Sequence, residues 1–96
     1  MLFEWDPQKA TINLRKHGVY FEEAMKVFED PYALFEQDRT DEIGELRWQA
    51  LGLVEGSTIL LVAHVVRQAD GTEIIRLISA RHASRKEGKR YEEACH

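Results

Sequence analysis

Positively charged side chains are concentrated near the end of a chain whose formal net charge is −4. Five of them fall within ten positions: Arg81, Arg85, Lys86, Lys89 and Arg90. Guanidinium groups bind phosphate through paired N–H donors, so an arginine held in place here suits a phosphate-containing ligand. Basic residues on a terminal helix more often form a solvated surface. Arg81 differs, because it lies between a predicted strand and a predicted helix, where the sheet would fix it.

A second arginine occupies the middle of a predicted strand, in the segment ELRWQALGLV. Arg47 alternates with Trp48, so the two side chains point to opposite faces of the strand. A surface arginine beside a core tryptophan is the more frequent arrangement. If Arg47 and Arg81 lie close together, however, they would form an anion site with two guanidinium groups.

Histidines are the candidates for proton transfer near neutral pH. His64 lies among apolar residues in LLVAHVV, a pattern typical of a buried core histidine. His17 precedes Gly18 at a predicted helix end, where the helix dipole favours a cation. The four histidines lack ligand-like spacing and Cys95 is the only cysteine, so we predict no metal site. No P-loop, dinucleotide fingerprint or nucleophile elbow is present, and we expect no cofactor.

Local patterns predict an α+β order of elements, β-α-α-β-β-β-β-α. Asp6 and Pro7 open a helix that ends near His17 at Gly18. The helical spacing of apolar residues from Phe21 predicts a second helix, which ends at Asp30 before a proline. The remaining elements are strands near 3–5, 33–36, 46–54, 58–67 and 73–80, and a last helix from about 85 to 91. In the last strand, alternation places Ile74, Ile78 and Ala80 on one face and Ile75 and Leu77 on the other.

Composition places the chain in one small domain, residues 1–96. The longest apolar run, 59–66, is too short to span a membrane, and the N-terminus is unlike a signal peptide, so we expect a cytoplasmic protein without membrane contact. Charge is segregated along the chain. Residues 20–45 contain nine acids and two bases, whereas residues 76–91 contain six bases and one acid. We therefore expect two surfaces of opposite charge.

The chain resembles the BrnT family of bacterial toxins over nearly all of its length. The blocks that carry the resemblance are Trp5-Asp6, Asn13, Lys16-His17-Gly18, Phe21-Glu22-Glu23-Ala24, Glu45-x-Arg47 with Gly52, and Ile78-Ser79-Ala80-Arg81 with Arg85 and Tyr91. Several blocks in the correct order are far more specific than any one of them. Tyr20 stands where the family often has a serine, so the resemblance implies a less secure start of the second helix.

This resemblance implies a RelE-like α+β fold with a mainly antiparallel sheet and helices packed on it. It also implies a ribonuclease toxin that arrests growth by cutting RNA without a metal, either free RNA or mRNA on the ribosome. A BrnA-like antitoxin would neutralise it in a hetero-oligomer, and operator DNA would be bound only through that antitoxin. The alternative is a catalytically inactive, toxin-like scaffold that binds an antitoxin or repressor.

The resemblance also changes the interpretation of the candidate residues. Metal-free cleavage at the RNA 2′-hydroxyl needs positive charge on the phosphate and groups that transfer protons. We assign phosphate stabilisation to Arg47 and Arg81, which we expect to meet at one edge around a slot for a nucleotide linkage. The proton-transfer residue stays open among Lys16, His17, His64 and Tyr91. Further contacts with RNA are expected from Lys16, Arg85, Lys89 and Arg90.

Overall fold

The structure, a computed structural model, describes residues 1–95; His96, the last residue of the predicted domain, lies outside them. The elements are β1 (Leu2–Glu4), α1 (Pro7–His17), α2 (Phe21–Ala24), a 3₁₀ helix (Met25–Glu29), β2 (Leu34–Thr40), β3 (Leu46–Leu53), β4 (Ile59–Ala69), β5 (Thr72–His82) and α3 (Arg85–Ala94). The predicted α+β order is confirmed, with the 3₁₀ helix as an extension of α2. Within residues 1–95, no helix has the length and apolar character needed to cross a membrane.

The five strands form one sheet in the order β1-β5-β4-β3-β2. Strands β2 to β5 pair with their sequence neighbours in antiparallel fashion. At the turn between β4 and β5, Asp70 and Gly71 both have positive φ, 52° and 77°, as a tight hairpin requires. β1 pairs with β5 in parallel, so the sheet is mixed and not purely antiparallel.

Helix α1 is fastened to the sheet by one buried amide. β1 pairs only with residues 74–76 of β5, so beyond that point the outer side of β5, opposite β4, has no neighbouring strand among residues 1–95. The side chain of Asn13 takes this place: its Oδ1 accepts from the Ala80 N–H at 3.0 Å and its Nδ2 donates to the Ala80 carbonyl at 2.9 Å. The same Nδ2 donates to the Val19 carbonyl at 3.0 Å. Asn13 therefore provides hydrogen-bond partners for the backbone N–H and carbonyl of Ala80 at the sheet edge, and it orients α1 along β5.

The start of α2 is held by the Glu23 carboxylate and not by an N-cap side chain. Tyr20 provides no side-chain cap for α2, and its N–H donates to the Glu23 carboxylate at 3.3 Å. The following 3₁₀ helix lies close to β3 at Gly52, where a Cβ atom would stand 2.8 Å from Val27 Cγ1. Glycine at this position is what allows the two elements to approach.

The two faces of the sheet are covered differently. The face that we call the helix face packs against α1, α2 and the 3₁₀ helix; its core residues are Val19, Phe21, Ala24, Val27, Ala50, Leu60, Val62, Ile75, Leu77 and Ala80. The opposite face, which we call the open face, is covered only at one end by α3. There, Tyr91 packs against Leu51 and Leu61.

A β-bulge in β5 changes which residues share a face. Ala63 pairs with Ser79, but the next residue, His64, pairs with Leu77, so Ile78 is an extra residue. As a result Ile75, Leu77 and Ala80 all lie on the helix face. The predicted alternation, which separated Ala80 from Ile75 and Leu77, was wrong for this reason.

Candidate functional site

Four arginines from three adjacent strands lie on the open face. The register pairs Leu61 with Arg81 and Val65 with Arg76, and Arg67 follows two positions after Val65. Trp48 pairs with His64 on the helix face, so its neighbour Arg47 projects from the open face. We call this surface the arginine face: Arg47 of β3, Arg67 of β4, and Arg76 and Arg81 of β5.

Arg47 and Arg81 share this face, but they do not border one narrow slot. Arg81 lies in the same row as Leu61 and Leu51, and Arg47 is four residues from Leu51 on β3. With a rise of ~3.4 Å per residue and ~4.8 Å between strands, their Cα atoms are roughly 17 Å apart. The two arginines therefore do not meet at one edge as expected; they belong to a track of arginines in which Arg76 lies in the same row as Arg47 and on the same strand as Arg81.

Arg81 is held by a carboxylate at the start of α3. Its Nη1 and Nη2 donate to Glu87 Oε1 and Oε2 at 2.8 and 3.0 Å. The same carboxylate accepts the Ser84 N–H at 2.8 Å and completes the cap of α3. The hydrogen bonds from Arg81 lower the pKa of Glu87 to about 2, and this interaction also raises the pKa of Arg81. A phosphate that binds the Nη atoms of Arg81 therefore competes with a firmly ionised carboxylate.

Two other arginines of this face also have carboxylate partners. Glu4 of β1 binds Arg67 at 2.5 Å and lies 3.8 Å from Arg76. Arg47, by contrast, has no salt bridge with any residue in the range 1–95. Its Nε atom is buried and has no hydrogen-bond partner there. Among residues 1–95, Arg47 is thus the arginine of this face that is not paired with a carboxylate, and it lines a pocket of about 680 Å³ with Asp41 and Glu42 of the loop after β2.

The basic end of α1 reaches the arginine face along β5. A groove of about 160 Å³ lies between α1 and the bulge, lined by Lys9, Lys16 and His17 on one side and by Ile78 and Ser79 on the other. Ser79 is two residues from Arg81 on the same strand. The structure therefore brings Lys16 and His17 to the border of the arginine face.

The side chains of His64 and Tyr91 are both buried. His64 is on the helix face, 1% exposed, with its ring centroid 4.9 Å from that of Phe28. Burial lowers its pKa. Tyr91 belongs to α3 and packs on the open face against Leu61, the register partner of Arg81, but it is buried and its hydroxyl donates to Asp30 Oδ2 at 2.5 Å. Burial and this hydrogen bond raise the pKa of Tyr91. Neither side chain is placed to exchange a proton with a ligand on the arginine face.

The remaining members of the basic cluster lie on α3. Arg85 and Lys89 are exposed on the helix surface. Arg90 reaches across to β2, where it binds Glu36 at 3.3 Å. Within residues 1–95, no group of three or more His, Cys, Asp or Glu side chains is arranged to hold a metal ion.

Sequence reasoning missed Arg67, Arg76, Ser79 and Lys9. Arg76 and Arg81 are five positions apart, so regular alternation would place them on opposite faces of β5. The bulge at Ile78 places both on the open face. No local signal reveals such a bulge, although the sequence contains the arginines that it aligns.

Comparison with known proteins agrees with this architecture. A search of curated proteins gives no match. The 1.1 Å crystal structure of the Brucella abortus ribonuclease toxin BrnT is similar to this chain, with a TM-score of 0.64 and 26% identity, over 88% of this chain and 100% of that one. Residues 5–87 match the family model described as the ribonuclease toxin BrnT of type II toxin–antitoxin systems. The chain therefore belongs to the BrnT family of ribonuclease toxins.

Proposed function

We propose that the protein is a metal-independent endoribonuclease that binds its RNA along the arginine face. The proposal rests on the position and pairing of Arg47. Its guanidinium has no carboxylate partner among residues 1–95, and it lies on the open face with three further arginines. In an acidic protein, such a concentration of arginines on one uncovered sheet face suits a polyanion. Planar guanidinium groups also match the geometry of phosphate.

Arg47 and Arg81 divide the electrostatic work in this proposal. The 2′-oxygen of one nucleotide bonds to the adjacent phosphorus, and the bond from phosphorus to the 5′-oxygen breaks, which leaves a 2′,3′-cyclic phosphate. Negative charge on the phosphate oxygens is stabilised by a guanidinium group in the transition state. Because their Cα atoms are roughly 17 Å apart, the two arginines contact different phosphates. Arg47 holds one phosphate of the strand, whereas Arg81, two residues from Ser79, exchanges Glu87 for the phosphate that reacts.

Proton transfer is assigned to His17, with Lys16 as a neighbouring cation. An imidazole can take the 2′-hydroxyl proton and return a proton to the 5′-oxygen near neutral pH. His17 lines the groove with Ser79, beside the arginine track, whereas His64 is buried on the helix face and the Tyr91 hydroxyl is held by Asp30. The RNA strand would then continue over Arg85 and Lys89, which are exposed on α3 beyond Arg81.

An antitoxin is the second partner in this proposal. Type II systems pair the toxin with a protein antitoxin, and a BrnA-like protein would neutralise this toxin in a hetero-oligomer and carry the operator-DNA binding. We place the activity in the cytoplasm, where mRNA is available, either free or on the ribosome. Addition of purified ribosomes to the cleavage assay separates these two substrates.

Three variants test the catalytic proposal. Wild type, Arg47→Ala, Arg81→Ala and Arg15→Ala are expressed from an inducible promoter, and growth and transcript integrity are followed. Arg15 is an exposed arginine of α1 that does not line the groove, so it controls for the loss of one positive charge. We expect arrest and cleavage with wild type and Arg15→Ala, and the loss of both with Arg47→Ala and with Arg81→Ala. Purified wild type should cut RNA equally well in EDTA; cleavage that EDTA abolishes, or an active Arg47→Ala variant, contradicts the proposal.

The scaffold alternative has one observation in its favour. Three of the four arginines are already neutralised by Glu4 or Glu87, as in a surface that need not bind phosphate. It predicts a purified protein that leaves RNA intact at every salt concentration and still forms a stable complex with its antitoxin.

A further inference from the structure

The outer strand of the sheet, β2, presents an open edge. It pairs with β3 on one side, and no element of residues 1–95 pairs with its other side. Every residue of β2 after Leu34 is exposed. Charged residues and a bulge after Gln37 prevent the second half of the strand from pairing with another chain, as is common at sheet edges. The first half is regular and carries an exposed phenylalanine, which does not prevent another strand from pairing with it.

That phenylalanine, Phe35, forms one wall of an apolar groove on the helix face. The groove has a volume of about 350 Å³, and Phe28, Phe35, Trp48, His64, Val66 and Ile75 line it. Phe35 is 50% exposed, and its ring centroid lies 5.9 Å from that of Phe28 and 6.3 Å from that of His64. Contiguous apolar surface of this kind commonly marks an interaction site.

Charge around this edge excludes RNA and selects a basic partner. From Glu36 to Glu45, the chain carries five acids, Glu36, Asp38, Asp41, Glu42 and Glu45, and one base, Arg39. Glu36 and Asp38 lie on the open-face side of β2, where Asp38 accepts from Gln49 at 3.3 Å and Glu36 binds Arg90. A second copy of the chain paired through β2 would bring these like charges together, which disfavours a homodimer.

We propose that β2 and the aromatic groove bind an extended segment of the antitoxin in which apolar side chains alternate with lysine or arginine. The added strand would pair with the free edge of β2. Its side chains on the helix face would enter the groove beside Phe35, and those on the other face would meet Glu36 and Asp38. The antitoxin is the occupant because the chain belongs to a type II toxin family, so this part of the inference rests on the proposed function.

A consequence is that the aromatic groove and the arginine face lie on opposite faces of the sheet. The groove is on the helix face, whereas Arg47 and Arg81 are on the open face. Substitutions in the groove should therefore release the partner and leave RNA cleavage unchanged. Substitutions on the arginine face should do the reverse.

The first experiment uses labelled synthetic peptides and fluorescence anisotropy. One peptide alternates Ile and Lys, one has the same composition in two blocks, and one replaces Lys with Glu. We expect binding of the alternating peptide only, weakened about tenfold or more by Phe35→Ser and unchanged by Tyr32→Ser. Tyr32 is the matched control, because it is 60% exposed and does not line the groove. Equal binding of the block peptide, or an unaffected Phe35→Ser variant, overturns the inference.

Because Phe35 also packs on Phe28, a second variant avoids the apolar core. Asp38→Lys reverses a charge on the other face of β2 and should also weaken the lysine peptide. Hydrogen exchange should show new protection of β2 amides when the peptide binds. An RNA oligonucleotide that displaces the peptide, or a native dimer that protects β2 without peptide, would assign the surface to another occupant and overturn the inference.

The second experiment uses the antitoxin encoded beside the toxin gene. Tagged wild type and Tyr32→Ser should retain it during purification, whereas Phe35→Ser and Asp38→Lys should lose it and still cleave RNA. An antitoxin complex that survives both substitutions overturns the assignment. If neither the wild type nor any variant cleaves RNA, the proposed function fails. The binding of the antitoxin to wild type and to Phe35→Ser still tests the docking surface, because it does not depend on cleavage.

Discussion

Substitution of Glu87 by glutamine separates stability from RNA binding. In the folded protein, Glu87 forms two hydrogen bonds with Arg81 and caps α3 through the Ser84 N–H. Glutamine has nearly the same shape and can still accept the Ser84 N–H, so the substitution mainly removes the charge that holds Arg81. We expect Glu87→Gln to be less stable than wild type and to bind RNA more tightly.

The loss of stability follows from the pKa of Glu87. A carboxyl whose pKa falls from 4.5 to about 2 contributes at most about 3.4 kcal/mol to the free energy of unfolding. Solvent screens this interaction, because the Arg81 side chain is 41% exposed, and we expect a loss of about 1–2 kcal/mol. The folded pKa lies below the unfolded one, so the contribution is present above about pH 4.5 and disappears as the pH falls towards 2. Urea unfolding of wild type and Glu87→Gln should therefore differ at pH 7 and converge in acid.

The gain in RNA affinity follows from the removal of a competitor. In wild type, a phosphate at Arg81 displaces a carboxylate, so the exchange adds little net charge neutralisation. In Glu87→Gln, Arg81 neutralises one more phosphate, and the slope of log K against log salt should steepen by about 0.7. Titration of a labelled RNA over a range of salt concentrations measures this slope. Ser84→Ala is the control: it removes the helix cap at a cost of about 1 kcal/mol and should leave the slope unchanged.

One result would refute this reasoning. If Glu87→Gln remains folded under the assay conditions but binds RNA more weakly than wild type, Glu87 positions Arg81 for phosphate and does not compete with it. A slope that matches wild type would show that Arg81 does not contact RNA phosphate at all.

Three further predictions concern stability. Gly52→Ala should lower the free energy of unfolding by about 1–3 kcal/mol, because its Cβ would overlap Val27. Urea unfolding measures this loss, and an unchanged midpoint would show that the 3₁₀ helix can move away from β3 at little cost. Asn13→Ala should cost about 2–4 kcal/mol, since the Ala80 N–H and carbonyl lose their partners, and exchange of the Ala80 amide should accelerate. His64→Phe should remove a pH dependence: burial lowers the pKa of His64 below 6.5, so wild type loses stability as the pH falls below about 6.5 and the variant should not.

Elements with local signals were predictable from the sequence. Asp6 and Gly18 bound α1 as expected, with Asp6 accepting the Gln8 N–H at 2.8 Å and Gly18 at φ 69°. The turn at Asp70 and Gly71 was likewise predictable from residue type. Pairings between distant segments were not. The parallel contact of β1 with β5 and the amide of Asn13 on Ala80 depend on residues more than sixty positions apart, and composition does not encode which partners meet.

The charge pairing in the candidate site likewise depends on contacts that the sequence does not reveal. The sequence indicated that Arg81 is special, but the residue that controls it is Glu87, the one acid in a run of bases, which also completes a helix cap. The same fold places the four arginines on the open face and the aromatic groove on the helix face, while Glu36 and Asp38 lie at the outer edge of the open face on β2. A polyanion and a basic polypeptide can then be bound by one small domain without competition for the same side chains. This separation is why a single substitution at Arg47 or at Phe35 should abolish one activity and leave the other intact.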